Sequence, residues 1–287
     1  MIISLGNPKY IDAKIDDILL QLSTIEHGTQ ITLDFSSIDY LRPDTVIQCL
    51  VISRKINNLS GQKVRWIGLK GGAAAYLEKI DISKVDFVEV ALPFWRSRSH
   101  ADVMPLELVS TPQELSKVIS NTKDYLTKWF PEKTKGNTFC RDVSTMVMEI
   151  VNNSLDHSEL GTNNDPLCYY TMQKENPKAG DNSRVIIAFG DAGIGIKQSL
   201  SCKPNLLFDN LSDLSALKTA FFRGYSRRDS GIGGFGFKAV TNALKENNGH
   251  ITMRSGSASF QYDLKTQTRR DRRHQETLNG TQAVLLL

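Results

Sequence analysis

Cysteine is scarce, with only four in 287 residues. Cys49, Cys140, Cys168 and Cys202 stand far apart with no CxxC spacing. That pattern indicates neither a zinc site nor a disulfide framework, and it predicts isolated thiols in packed positions. No apolar run approaches the length of a membrane span, and the opening Met-Ile-Ile-Ser-Leu-Gly-Asn-Pro lacks the basic start and apolar stretch of a signal peptide. A cytoplasmic protein with no membrane partner is expected. Charge of one sign is not in excess either: 35 basic residues against 31 acidic ones leave a net charge of +4. That is too slight to announce a nucleic-acid partner, which would need a concentrated basic face.

A hydrophobic content of 40% and a charged content of 23% are those of a soluble globular protein, and the length has room for two domains, each with a core. Ile31-Thr-Leu-Asp-Phe reads as a short buried strand, followed by a turn at Ser36 and Ser37 and a helix from Thr45 to Ile56. Val64 to Leu69 is a second strand, and Gly71 to Lys79 a helix opened by glycines. This alternation predicts a small α/β domain over 1–94, with strands ending near Val90. Residues 95–110, bounded by Pro93 and Pro105, read as a linker. A second domain over 111–287 opens with Thr111-Pro-Gln-Glu114, a capping box ahead of a helix to about Trp129, and a loop from Pro131 to Asn137 follows. Cys168 to Met172 and Val185 to Phe189 look like neighbouring strands, with Lys174 to Ser183 as a surface loop between them.

In the first unit, Leu33-Asp-Phe-Ser-Ser-Ile-Asp-Tyr-Leu-Arg-Pro-Asp-Thr-Val resembles the strand-loop-helix of STAS domains. Phosphorylatable members carry a serine at the helix start, where this chain has Pro43. Asp44 or Thr45 is expected to cap the helix.

Three segments of the second unit carry chemistry. On a helix, Glu149, Asn153 and His157 fall on one face, and Val143, Val147, Ile150, Val151 and Leu155 form an apolar face opposite. Alone, such a stripe is that of any amphipathic helix. Gly190-Asp191-Ala192-Gly193-Ile194-Gly195 follows a strand directly. Its glycines permit close approach of a flat ligand and its carboxylate can accept from an adenine amino group, although Asp-x-Gly is also common turn chemistry. Ser230-Gly-Ile-Gly-Gly-Phe-Gly-Phe-Lys238 leads into a helix over Ala239 to Asn247, where unpaired amides suit phosphate. It is neither a Walker A sequence nor a clean dinucleotide fingerprint.

Together and in this order, the three segments resemble the boxes of the GHKL (Bergerat-fold) ATPases, a superfamily that includes gyrase, heat-shock chaperones, MutL, histidine kinases and anti-sigma-factor kinases. The closing segments His250-Ile-Thr-Met-Arg-Ser-Gly and Gly280-Thr-Gln-Ala-Val-Leu-Leu-Leu are similar to the last strands of that domain. The resemblance implies a two-layer α/β sandwich, a mixed sheet with helices on one face, and ATP and Mg2+ as cofactors. It implies that Asn153 holds the metal, Asp191 binds adenine with Gly193 and Gly195 admitting the base, and Gly234, Gly236 and Lys238 meet the phosphates with His157. Glu149 is the catalytic candidate, activating or orienting water or a hydroxyl. Lys197 to Ser230 would be the ATP lid, in which Ser226, Arg227 and Arg228 resemble a phosphate-contacting Gly-x-Ser-x-Arg segment. Ile232 stands where many relatives have the first glycine of the second box.

The basic run Lys265 to His274 reads as a hairpin loop between the last strands. The function so implied is a regulatory ATP-binding protein that hydrolyses ATP slowly and engages a protein partner. A serine/threonine kinase of anti-sigma type and a non-catalytic module stabilised by ATP are the alternatives, and a homodimer is compatible with each.

Overall fold

The structure, a computed structural model, describes residues 1–6, 12–92, 102–136, 138–157, 168–176, 183–202, 210–223 and 235–287. The fold is α/β with two sheets. The first part of the chain runs β1 (Ile2–Ser4), α1 (Asp12–Leu22), β2 (Thr32–Asp34), α2 (Pro43–Ser60), β3 (Val64–Ile67), α3 (Gly71–Lys79) and β4 (Val88–Val90). The second part runs β5 (Glu107–Val109), α4 (Pro112–Trp129), α5 (Pro131–Thr134), α6 (Thr138–His157), β6 (Cys168–Glu175), β7 (Arg184–Gly190), α7 (Gly195–Ser201), α8 (Asp213–Arg223), α9 (Phe235–Glu246), β8 (His250–Asp263) and β9 (Thr268–Leu286).

The first sheet is parallel in the order β1-β2-β3-β4. Its strands alternate: Ile3, Leu33, Val64 and Trp66 are buried, while Ile2, Arg65 and Ile67 face outward. Parallel sheets are ordinarily covered on both faces; here the outward face carries an Arg65–Glu89 ion pair at 2.8 Å. On the inner face Trp66 Nε1 donates to Ser53 Oγ of α2 at 3.0 Å, which satisfies the indole N–H inside the core.

Helix α2 starts earlier than its apolar pattern predicts because Pro43 at its first turn pre-sets φ, and Gly61 at φ 70° closes it. Capping by Asp44 or Thr45 does not occur. The N-cap is Arg42, without a side-chain cap bond, and Asp44 lies in the first turn, accepting from Arg42 Nε at 3.3 Å. The helix is buried nearly all round, through Val46, Ile47, Cys49, Leu50, Val51, Ile52 and Ile56. A helix apolar on every side must be covered on every side, and α2 is: the first sheet lies on one flank and β6, β7 and β9 on the other.

The second sheet has the order β5-β6-β7-β9-β8 and every pairing in it is antiparallel, where a mixed sheet is expected. Both its faces are covered, so β6 and β7 read as near-continuous apolar runs. Tyr169, Ala188 and Leu278 join the core of α1 and α2, while Tyr170, Met172, Ile187, Phe189 and Leu285 join that of α4, α6 and α9. The second sheet thus separates two cores, with α1 and α2 of the first unit packed on one face and α4, α6 and α9 on the other.

Part of the expected linker is also sheet. Val103 bridges Gln173, Met104 N donates to Met172 O at 2.9 Å, and Glu107–Val109 is the edge strand β5. The capping box at Thr111 and Glu114 forms as the sequence predicts. Within the expected lid, Asp213–Arg223 is a packed helix, with Ala216, Leu217 and Phe221 buried against β8 and α9. The basic run is mostly strand: β9 begins at Thr268, and the hairpin bends at irregular pairing around Gly256 until Leu264 N reaches Gly249 O at 3.1 Å. Cys49, Cys140 and Cys168 are packed, but Cys202 is exposed. Among the described residues, no helix is long and apolar enough to cross a membrane.

Candidate functional site

Helix α6 crosses the second sheet with Val143, Met146, Val147, Ile150 and Val151 sunk into the core. That orientation turns Glu149 and Asn153 to the half-buried side and sets Ser154 at the junction with the sheet. Strand β7 ends at Gly190, and Asp191 follows at the point where the chain leaves the sheet.

The Asp191 side chain is held from three directions. Oδ1 accepts from Gly193 N at 3.0 Å and from Thr281 N at 3.2 Å, and Oδ2 accepts from Ser154 Oγ at 3.1 Å. The residue is only 6% exposed. Burial pushes its pKa up to about 6, against the opposing pull of the Gly193, Ser154 and Thr281 donors. A carboxylate with two oxygens offers about four acceptor positions, so the three donors leave room for a ligand N–H.

The neighbouring backbone is fitted closely around this group. Gly280, at φ 82°, lies against the Asp191 carbonyl so tightly that a Cβ would overlap it. Gly195 sits at φ 75°, where a Cβ would lie 3.1 Å from Ser255 Oγ. Its glycine is thus fixed by backbone conformation and by packing on the β8–β9 irregularity. Ser255 Oγ ties these parts together, accepting from Ile196 N at 2.9 Å and donating to Gly280 O at 3.1 Å.

The third segment enters through α9, which packs along α6. A Cβ on Gly236 would lie 2.6 Å from Glu149 Oε2, so glycine there lets that carboxylate rest against the start of the helix, and a larger residue would push it aside. The amide nitrogen of Asn153 is buried and has no hydrogen-bond partner among the described residues. Such a group is costly to leave unmatched, and a ligand oxygen is the kind of acceptor it lacks.

The structure therefore brings together Glu149, Asn153, Asp191, Gly193, Gly195 and Gly236. Lys238 is exposed on α9 and makes no hydrogen bond among the described residues. His157 closes α6, but its side chain, together with Ser226, Arg227, Arg228 and Gly234, lies outside the described residues. No cluster of three or more His, Cys, Asp or Glu side chains suited to a metal occurs among the described residues. A divalent ion here would need the Asn153 oxygen plus oxygens from a ligand, a mode that suits Mg2+.

Sequence reasoning passes over Ser154, Ser255 and Thr281. The signal for Ser154 is its place after Asn153, one step around the helix toward the sheet. The signal for Thr281 is the Gly-Thr pair at the head of an apolar closing strand. Compared with known proteins, the sequence matches no family model and no curated protein, so the geometry of these side chains carries the functional argument.

Proposed function

We propose that the protein is a magnesium-dependent, ATP-binding regulatory protein of the GHKL kind, in which a STAS-like first unit couples nucleotide occupancy to a protein partner. One observation carries the reading: Asp191, a buried carboxylate at a strand end, is bonded to the helix that bears Asn153 and Glu149, and that helix lies on the glycine start of α9. Three segments distant in sequence thus meet, which is what the reading requires.

In this reading Asp191 accepts a hydrogen from the adenine amino group, while its protein donors fix the direction of the remaining lone pair. The Asn153 side-chain oxygen would hold Mg2+, which supplies charge neutralisation at the phosphates. The orphaned Asn153 N–H donates to a phosphate oxygen. Glu149, placed beside Gly236 by the α6–α9 contact, orients the attacking water and accepts its proton. A cytoplasmic setting suits an ATP-dependent regulator.

Titration of the full chain with ATP and Mg2+ in a calorimeter tests this. Binding in the wild type that is lost in Asp191→Asn and kept in Arg65→Ala, a control on the outward face of the first sheet, supports the reading; no binding by the wild type sinks it. With γ-labelled ATP, free phosphate marks a hydrolase, and label on a protein marks a kinase instead.

A further inference from the structure

Helix α2 belongs to the first unit by sequence, yet one of its faces is built around the Asp191 strand. Ile47, Val51 and Lys55 recur at intervals of four and share that face. A Cβ on Gly190 would overlap Ile47 Cγ2 and come within 3.0 Å of Val51 Cγ2, so α2 rests directly on the backbone one residue before Asp191. Further along the same face, Lys55 Nζ donates to Thr277 O at 3.0 Å and to Asn279 Oδ1 at 3.5 Å. Those acceptors lie in the short stretch leading into Gly280, which presses on the Asp191 carbonyl, and Thr281, whose N–H reaches the Asp191 carboxylate. Asp191 N returns a bond to Thr281 O at 2.9 Å.

We infer that Ile47, Val51 and Lys55 are positioning residues of the nucleotide site, and that the first unit acts on nucleotide affinity through this face of α2. The inference rests on the reading of Asp191 as the adenine acceptor. Lys55 argues for more than core filling. Burial lowers its pKa, with Glu276 opposing, and ordering a long cationic side chain on a backbone carbonyl costs rotamer entropy and hydration. An apolar residue of similar length would fill the same space without the hydration cost. The ammonium instead holds the stretch of β9 that leads into the Asp191 donor.

The test uses the full chain and two readouts, Mg2+-ATP affinity and the titration midpoint of the Asp191 carboxyl carbon followed by NMR. Gly190→Ala is expected to weaken ATP binding by about tenfold or more, a loss of about 1.4 kcal/mol. Adding Ile47→Ala, which removes the overlapping methyl, is expected to restore most of it. Lys55→Met is expected to weaken binding several-fold and to move the Asp191 midpoint upward by about half a pH unit as the Thr281 donor loosens, while Lys55→Arg retains both values. An unchanged midpoint and affinity in a folded Lys55→Met protein, or no rescue of Gly190→Ala by Ile47→Ala, overturns the inference. If the wild type binds no ATP, the functional reading fails while the Asp191 midpoint still decides whether α2 positions that carboxylate.

Discussion

Ser154 on α6 donates its hydroxyl to Asp191 Oδ2 at 3.1 Å, and this bond joins the helix bearing Asn153 to the strand end bearing the carboxylate. It is among the interactions that hold the Asp191 pKa below what burial alone would give. Ser154→Ala is therefore expected to raise the Asp191 pKa further and to weaken ATP binding by about 1 kcal/mol, the usual worth of one hydrogen bond. Calorimetry above and below pH 6 checks it. Equal affinity in both proteins at both values would detach Ser154 from the site.

Asp191 itself is held at a cost to stability. Its folded pKa, about 6, lies above the 3.8 of an unperturbed aspartate. The native state therefore binds a proton that the unfolded chain releases between those values, and the stabilisation present below the unfolded pKa is lost as pH rises through the folded one. Asp191→Asn keeps an acceptor for Gly193 N and Thr281 N and turns an N–H toward Ser154 Oγ. Its fold is expected to be more stable than the wild type at pH 8, by on the order of 1–3 kcal/mol, with the gain vanishing toward pH 4, while ATP binding is lost. Urea denaturation at the two pH values measures the difference. A variant less stable than the wild type at pH 8 would mean that the buried carboxylate is structural.

The elements that could be read from the sequence are those whose cause is local. The capping box at Thr111 and Glu114, the glycine-opened helix at Gly71 and the paired strands beginning at Cys168 and Val185 are written in adjacent residues. Strand β5 was not legible, because Glu107-Leu-Val109 is too short to show a period and gains its identity only from pairing with Cys168 to Tyr170. The same division runs through the site. Asn153 and Asp191 stand out as residue types at a spacing, whereas Ser154 and Thr281 matter only because folding brings both onto one carboxylate. Nor does any residue of α2 announce that its second neighbour is the distant sheet of β6, β7 and β9; the apolar residues recurring around the helix from Val46 to Ile56 say only that it is covered.

Gly236 separates stability from function. Alanine there gains intrinsic helix propensity of about 1 kcal/mol, but its Cβ would meet Glu149 Oε2 at 2.6 Å. That oxygen is the far end of a flexible side chain and can swing away. Gly236→Ala is expected to leave the melting temperature within a few degrees of the wild type while lowering ATP turnover about tenfold or more by displacing Glu149. Single-turnover hydrolysis alongside thermal melts reports both. Unchanged turnover would show that Glu149 takes no part in the reaction.

Asp16 on α1 joins the two units through groups that would be costly to strand. Its Oδ1 accepts from Arg254 Nη2 at 2.8 Å, and its Oδ2 faces His274 Nδ1 at 3.3 Å. Because Nδ1 meets a carboxylate it carries the hydrogen, and Nε2 accepts from Ser259 Oγ at 2.9 Å. Arg254 is only 3% exposed, so Asp16→Ala leaves a buried cation without this carboxylate, and a loss of about 3–5 kcal/mol is expected. The pH dependence has a fixed sign. Burial and the Arg254 and Arg272 charges lower the His274 pKa against the pull of Asp16, so the neutral ring stabilises the fold above the unfolded value of about 6.5 and that contribution is lost as pH falls. Burial opposes ionisation of Asp16, but Arg254 and His274 outweigh it and hold its carboxyl below the usual range. Its contribution is lost lower still, as pH falls through that depressed value. The wild type is thus expected to lose stability in two steps on acidification, and His274→Gln to lose the upper step alone. Denaturation midpoints from about pH 8 to about pH 2 check this, and parallel profiles for the two proteins would remove His274 from the joint.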